Sequence, residues 1–126
     1  MAEGFLKLFD ASLRVESAGT EPAREVNPYA VRVMKEIGID ISANRPQSVD
    51  LFLNESFDYV ITVCDNAKET CPVFLGNVKH RFHFGFSDPA EATGTDEEIL
   101  AEFRRVRDKI KTTFFNFYAT TLQKER

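Results

Sequence analysis

A doubly wound α/β fold with a parallel sheet is predicted for this 126-residue chain by three observations. Short runs rich in β-branched and aromatic residues alternate with amphipathic helical stretches, in the order α-β-α-(α)-β-α-β-α. The run Phe57–Val63 is nearly continuous in apolar character, as a strand covered on both faces reads. Three loops, Ser17–Thr20, Cys64–Cys71 and Phe86–Ala90, follow the predicted strands, leave the same sheet edge and should converge on one site.

The elements follow in chain order. Met1–Phe9 spaces Phe5, Leu6, Leu8 and Phe9 as a helix does, among the good helix formers Ala2, Glu3 and Lys7, with no capping residue before it. Leu13–Ser17 alternates and breaks at Ala18-Gly19-Thr20, a strand with a turn at its carboxyl end. Asn27 caps the next helix, Pro28 occupies its first turn, Ala30, Val31, Met34 and Ile37 form its apolar stripe, and Gly38 ends it. Ser48 starts a short helix to Phe52 with Val49 and Phe52 turned inward, and Val78–Phe84 has the mixed character of an edge strand. Thr95 with Glu98 makes a capping box. From it Ile99, Phe103, Val106, Ile110, Phe114 and Phe117 keep one face of a long last helix. Its basic run, Arg104, Arg105, Arg107, Lys109 and Lys111, is interleaved with acids and reads as a solvated face; Phe115 and Tyr118 fall off the stripe.

Size and composition narrow the functions. Residues 1–126 make one domain, and 43% hydrophobic with 29% charged residues is an ordinary globular balance. A net charge of −4 argues against nucleic acid or an anionic membrane as partner. No apolar run approaches the ~20 residues that span a bilayer, and MAEGFLKLF has no basic leader, so the cytoplasm is the expected compartment. There, paired cysteines are more often catalytic or reduced than structural.

Both cysteines, Cys64 and Cys71, lie just after the Phe57–Val63 strand. On regular helix their Cα atoms would stand about 10 Å apart at ~1.5 Å per residue. A disulfide spans about 4.4–6.8 Å, so the pair bonds only if the segment between is looped or unwinds. Asp65, Asn66 and Thr70 are poor helix-interior residues, which makes a helix there marginal and a redox switch feasible; two inert buried thiols are the plainer alternative. Zinc is disfavoured, because two cysteines do not close a four-ligand site and His80 and His83 fall on opposite faces of a strand.

The segments MAEGF, VESAGTEP, VNPYAVRVMKEIGIDIS, DYVITVCDNAKETCPVF, HFGFSDPAEATGT and EFRRVRDKI together resemble the thioredoxin-coupled arsenate reductases, which share the fold of the low-molecular-weight protein tyrosine phosphatases. The likeness runs over essentially the whole chain. It implies that Cys64 matches the second cysteine of a thiol cascade, which attacks an arsenate adduct on a first cysteine. Cys71 then matches the third, which leaves a Cys64–Cys71 disulfide for thioredoxin to reduce. Asp88 matches the acid that protonates a leaving oxygen. Glu3 and Ser17 resemble residues near a potassium site in some relatives. The Asp-Pro-Ala form at residues 88–90 favours the reductase branch over phosphatases, which usually carry Asp-Pro-Tyr.

The chain departs from that pattern at its start. The family begins with a strand, a Cys-x5-Arg anion loop and then a helix opening near the residues matched by Met1–Gly4. Here the chain opens at that helix, without the nucleophile or the arginine clamp. The expectation is an arsenate-reductase homologue, inactive towards arsenate or phosphate esters by itself. A central strand would be missing between Leu13–Ser17 and Phe57–Val63. That gap would be relieved by direct pairing of these two, by another chain or by subunit exchange, a homo-oligomer being favoured. The alternatives are a non-enzymatic thiol/disulfide module and a low-molecular-weight phosphatase-like protein.

Overall fold

The computed structural model describes residues 1–18, 26–63, 77–87 and 89–122, which fall in two compact units threaded by the chain more than once. The first unit takes in residues 1–16, 26–44 and 89–122 and is helical. Its elements are α1 (Ala2–Phe9), α2 (Pro28–Lys35) and α3 (Asp96–Phe117), with α1 and α2 both packed on α3. A short 3-10 turn, Pro89–Glu91, also lies on α3.

Each helix forms where its local chemistry says it should. Asn27 Oδ1 accepts from the Tyr29 N–H at 2.9 Å, and Pro28 stands at the first position. At the other end Ile39 N–H reaches Met34 O and Gly38 N–H reaches Lys35 O, both at 3.0 Å, with Gly38 at φ +84°. That pair of bonds is a Schellman closure, and its left-handed residue is the glycine. Thr95 and Glu98 close the reciprocal capping box on α3. The core gathers Phe5, Val33, Met34, Ile41, Leu100, Phe103, Val106 and Phe114.

Several expectations on these helices need correction. In α2 the buried residues are Ala30, Val33 and Met34, whereas Ile37 is 37% exposed. The helix ends at Lys35, so Ile37 lies in the closing turn and leaves the stripe. In α3 Leu100 is fully buried and Ile99 is only partly so. Arg107, read as solvated, is buried and donates to the Val33 carbonyl at 2.9 Å.

The second unit takes in residues 17–18, 45–63 and 77–87. Ser48 Oγ caps a 3-10 turn, Val49–Phe52, by accepting from Asp50 N–H at 3.2 Å. Phe52 is buried and meets Phe57 edge-on at 6.0 Å. Strands β1 (Ser56–Thr62) and β2 (Asn77–His83) run parallel, from Ser56 opposite Asn77 to Thr62 opposite His83. The fold is thus α/β with a parallel sheet, as predicted.

The register separates the two faces of this pair. One carries Phe57, Tyr59 and Ile61 beside Val78, His80 and Phe82, with Tyr59 stacked on His80 at 5.1 Å and on Phe82 at 6.2 Å. The other carries an exposed Asp58–Lys79 ion pair at 3.4 Å, Val60 beside Arg81, and Thr62 beside His83. His80 and His83 therefore do face opposite sides. β2 has the mixed polar character expected of an edge strand: Asn77, Lys79, His80, Arg81 and His83 are exposed.

Leu13–Ser17 forms no strand among the described residues, whose sheet is β1 and β2 alone. A strand is defined by its ladder, and alternation supplies only the side chains for one. Direct pairing of this segment with β1 is therefore not how the sheet is completed among the described residues.

Candidate active site at the carboxyl ends of the strands

In parallel sheets the chemistry gathers past the carboxyl ends of the strands, and here both ends are held together beyond the last regular rung. The Phe84 N–H donates to Thr62 O at 2.9 Å and the Phe86 N–H donates to Val63 O at 3.2 Å. These bonds bring the exit of β1 alongside the exit of β2. Thr62 Oγ1 and His83 Nδ1 lie 2.6 Å apart on the polar face of the pair. Phe86 is buried, and the rings of Phe82 and Phe84 stack at 6.1 Å.

Cys64 is the residue after Val63 and Asp88 is the second after Phe86; both, like Cys71, lie outside the described residues. So does most of the loop after Ser17. What is described are the roots of two of the three loops singled out in the sequence, joined by one backbone hydrogen bond. The contribution of Thr62 and His83 was not legible in the sequence. Twenty-one residues separate them, and only the parallel register makes them neighbours.

Glu3 and Ser17 are described, in separate units. Glu3 is in the first turn of α1, where a carboxylate suits the helix dipole, and its Oε2 accepts from Lys7 Nζ at 2.6 Å one turn on. Ser17 is exposed, and its carbonyl accepts from Gln47 Nε2 at 3.3 Å. The Lys7 ammonium is thus one partner of the Glu3 carboxylate, and no step below is routed through a potassium ion. Among the described residues no group of three or more His, Cys, Asp or Glu side chains is placed to hold a metal, and no helix is long and apolar enough to cross a membrane.

The profile of the family described as low molecular weight phosphotyrosine protein phosphatase matches residues 1–126. The arsenate reductase of Halalkalibacterium halodurans is 49% identical over 121 residues, which is 95% of this chain and 86% of the relative. That of Bacillus subtilis is 45% identical over the same shares. Among solved structures, an arsenate reductase in its oxidised state superposes with a TM-score of 0.75 at 30% identity, covering 94% of this chain and 85% of the other. One in a phosphate-binding state gives 0.75 at 32% identity, with the same shares.

Proposed function

Since this chain belongs to the low molecular weight phosphotyrosine protein phosphatase family and is a homologue of the arsenate reductases, we propose that it is the body of a thiol-based arsenate reductase. The observation that carries this reading is the Phe86–Val63 bond of 3.2 Å, which holds together the two strand exits that lead to Cys64 and to Asp88.

In this cascade arsenate is bound through sulfur to a first thiolate, with loss of water assisted by Asp88 as acid. The Cys64 thiolate attacks that sulfur. The sulfur–arsenic electron pair leaves with arsenic, which departs as arsenite, and a disulfide joins Cys64 to the first cysteine. The Cys71 thiolate then attacks Cys64, expels the first thiolate and leaves a Cys64–Cys71 disulfide. A thioredoxin dithiol reduces it and is itself oxidised. The net change is arsenate plus two thiols to arsenite, one disulfide and water. Thioredoxin as reductant and a reducing compartment such as the cytoplasm belong to the same reading.

Within residues 1–126 neither cysteine has an arginine six positions on; Thr70 and Asn77 stand there. The first nucleophile and its anion cradle must come from other residues. We therefore expect the 126-residue chain to release no arsenite from arsenate, and the same chain preceded by a strand and a Cys-x5-Arg loop to do so with thioredoxin. Cys64→Ser and Cys71→Ser should each abolish multiple turnover of the extended chain. An extended chain that turns over without Cys71 would overturn the cascade. The two cysteines without that arginine also suit a second reading, a thiol/disulfide module. For that reading, thioredoxin oxidation by the pre-oxidised 126-residue chain is the measurement.

A further inference from the structure

The apolar stripe of α3 changes step at its carboxyl end. An α-helix turns ~100° per residue, so the core line through Phe114 passes next to residues 117 and 121 and leaves residue 122 ~80° aside. Phe117 is buried as that spacing requires. At the next step the polar Thr121 is only half-buried, and Leu122 is the buried residue. Between the two the helix widens: Tyr118–Leu122 is a π-turn, closed by bonds to the fifth residue instead of the fourth. One more residue in the turn brings Leu122 round to the line that Phe114 and Phe117 keep.

Two side-chain bonds accompany the wide turn. The Thr120 hydroxyl donates to the Asn116 carbonyl at 2.7 Å, a back-bond of the kind that bends helices. The Tyr118 hydroxyl donates to Asp10 Oδ2 at 3.1 Å, at the end of α1. Asp10 Oδ1 accepts from the Ser12 N–H at 3.0 Å and from Ser12 Oγ at 2.6 Å, which orients the carboxylate that Tyr118 meets. A π-turn is rare, so its presence needs compensation, and burial of a leucine side chain is the largest on offer here. We propose that the last turn of α3 is a two-state strap. Burial of Leu122 holds it wide, the Tyr118–Asp10 bond fastens it to the end of α1, and it closes to regular helix when residue 121 carries the apolar side chain instead.

The test uses the 126-residue chain, the double variant Thr121→Leu with Leu122→Thr, and the single variants Leu122→Thr and Tyr118→Phe. NMR couplings across hydrogen bonds read which carbonyl accepts from the amide of residue 122: that of Phe117 in a wide turn, that of Tyr118 in regular helix. Wild type should show Phe117 and the double variant Tyr118. Tyr118→Phe should keep the wide turn and speed hydrogen exchange at the Leu122 amide about three- to tenfold, the scale of one hydrogen bond. A wild type bonded to Tyr118, or a double variant still bonded to Phe117, overturns the strap. Unchanged exchange in Tyr118→Phe overturns the part given to Asp10. If the double variant fails to fold by circular dichroism, Leu122→Thr decides by the same coupling, because without a leucine to bury its amide should bond to Tyr118.

Discussion

Gly4 sits within α1, where alanine would favour the helix by about 1 kcal/mol. Its surroundings explain the glycine. A Cβ there would lie 3.1 Å from Ile41 Cγ2, 3.2 Å from Ile39 Cγ2 and 3.3 Å from Met34 Cε. Ile41 and Met34 are fully or almost fully buried, so little space exists for them to give way. Gly4→Val should lower the urea unfolding free energy by about 2 kcal/mol, the usual scale of overpacking. An unchanged midpoint would show that these side chains move aside freely. Gly38 is a different case: nothing crowds it, yet its φ of +84° strains any residue with a Cβ. Gly38→Ala should cost about 1 kcal/mol through backbone strain alone.

At the scale of elements, α2 and α3 are joined by an ionic clamp. Arg107 Nη1 donates to Val33 O near the carboxyl end of α2 at 2.9 Å and to Glu36 Oε1 at 3.0 Å. Arg104 grips the same carboxylate through Nε and Nη2, the latter at 2.7 Å. Because Arg107 is buried and one of its acceptors is a helix-end carbonyl, Arg107→Met should destabilise by about 2 kcal/mol, the cost of leaving such an acceptor unpaired. Arg107→Lys should recover little of it, having no planar fork. The Arg104 and Arg107 guanidinium groups hold the Glu36 carboxyl down to about 2 from its ordinary 4.5. A folded-state pKa lowered in this way contributes stability that is complete above about 4.5 and lost as pH falls through about 2. Unfolding midpoints between pH 2 and 6 should therefore fall more steeply in wild type than in Glu36→Gln; parallel curves would refute the clamp. Thr95→Ala, which removes one half of the capping box, should cost about 1 kcal/mol at the start of α3.

At the scale of the whole molecule, the sheet of the described residues is two parallel strands, and large apolar side chains stand in the open, Leu8 at 62% and Phe115 at 53%. Tyr118, grouped with Phe115 in the sequence, is half-buried, with its ring 6.0 Å from Phe9 and its hydroxyl 3.1 Å from an Asp10 carboxylate oxygen. We propose that the chain associates with itself in solution; sedimentation equilibrium on the 126-residue chain should give a mass of twice 14.3 kDa or more. A cooperative, well-folded monomer at micromolar concentration would overturn that proposal.

The sequence by itself determined the three helices and the strands β1 and β2, the Asn27 and Thr95 caps, the stop at Gly38 and the family. Each of these is written in residues a few positions apart, within reach of local hydrogen bonds and of side-chain periodicity. It placed Cys64 and Cys71 in one loop and Asp88 in another by resemblance and spacing, and those three lie beyond the described residues. Only the tertiary structure decided that Leu13–Ser17 joins no ladder among the described residues, that Arg107 turns inward to Val33, and that Thr62 meets His83. These outcomes depend on partners 21 to 74 residues away. Pairing and burial are properties of two segments at once, and no single segment encodes which neighbour it will find.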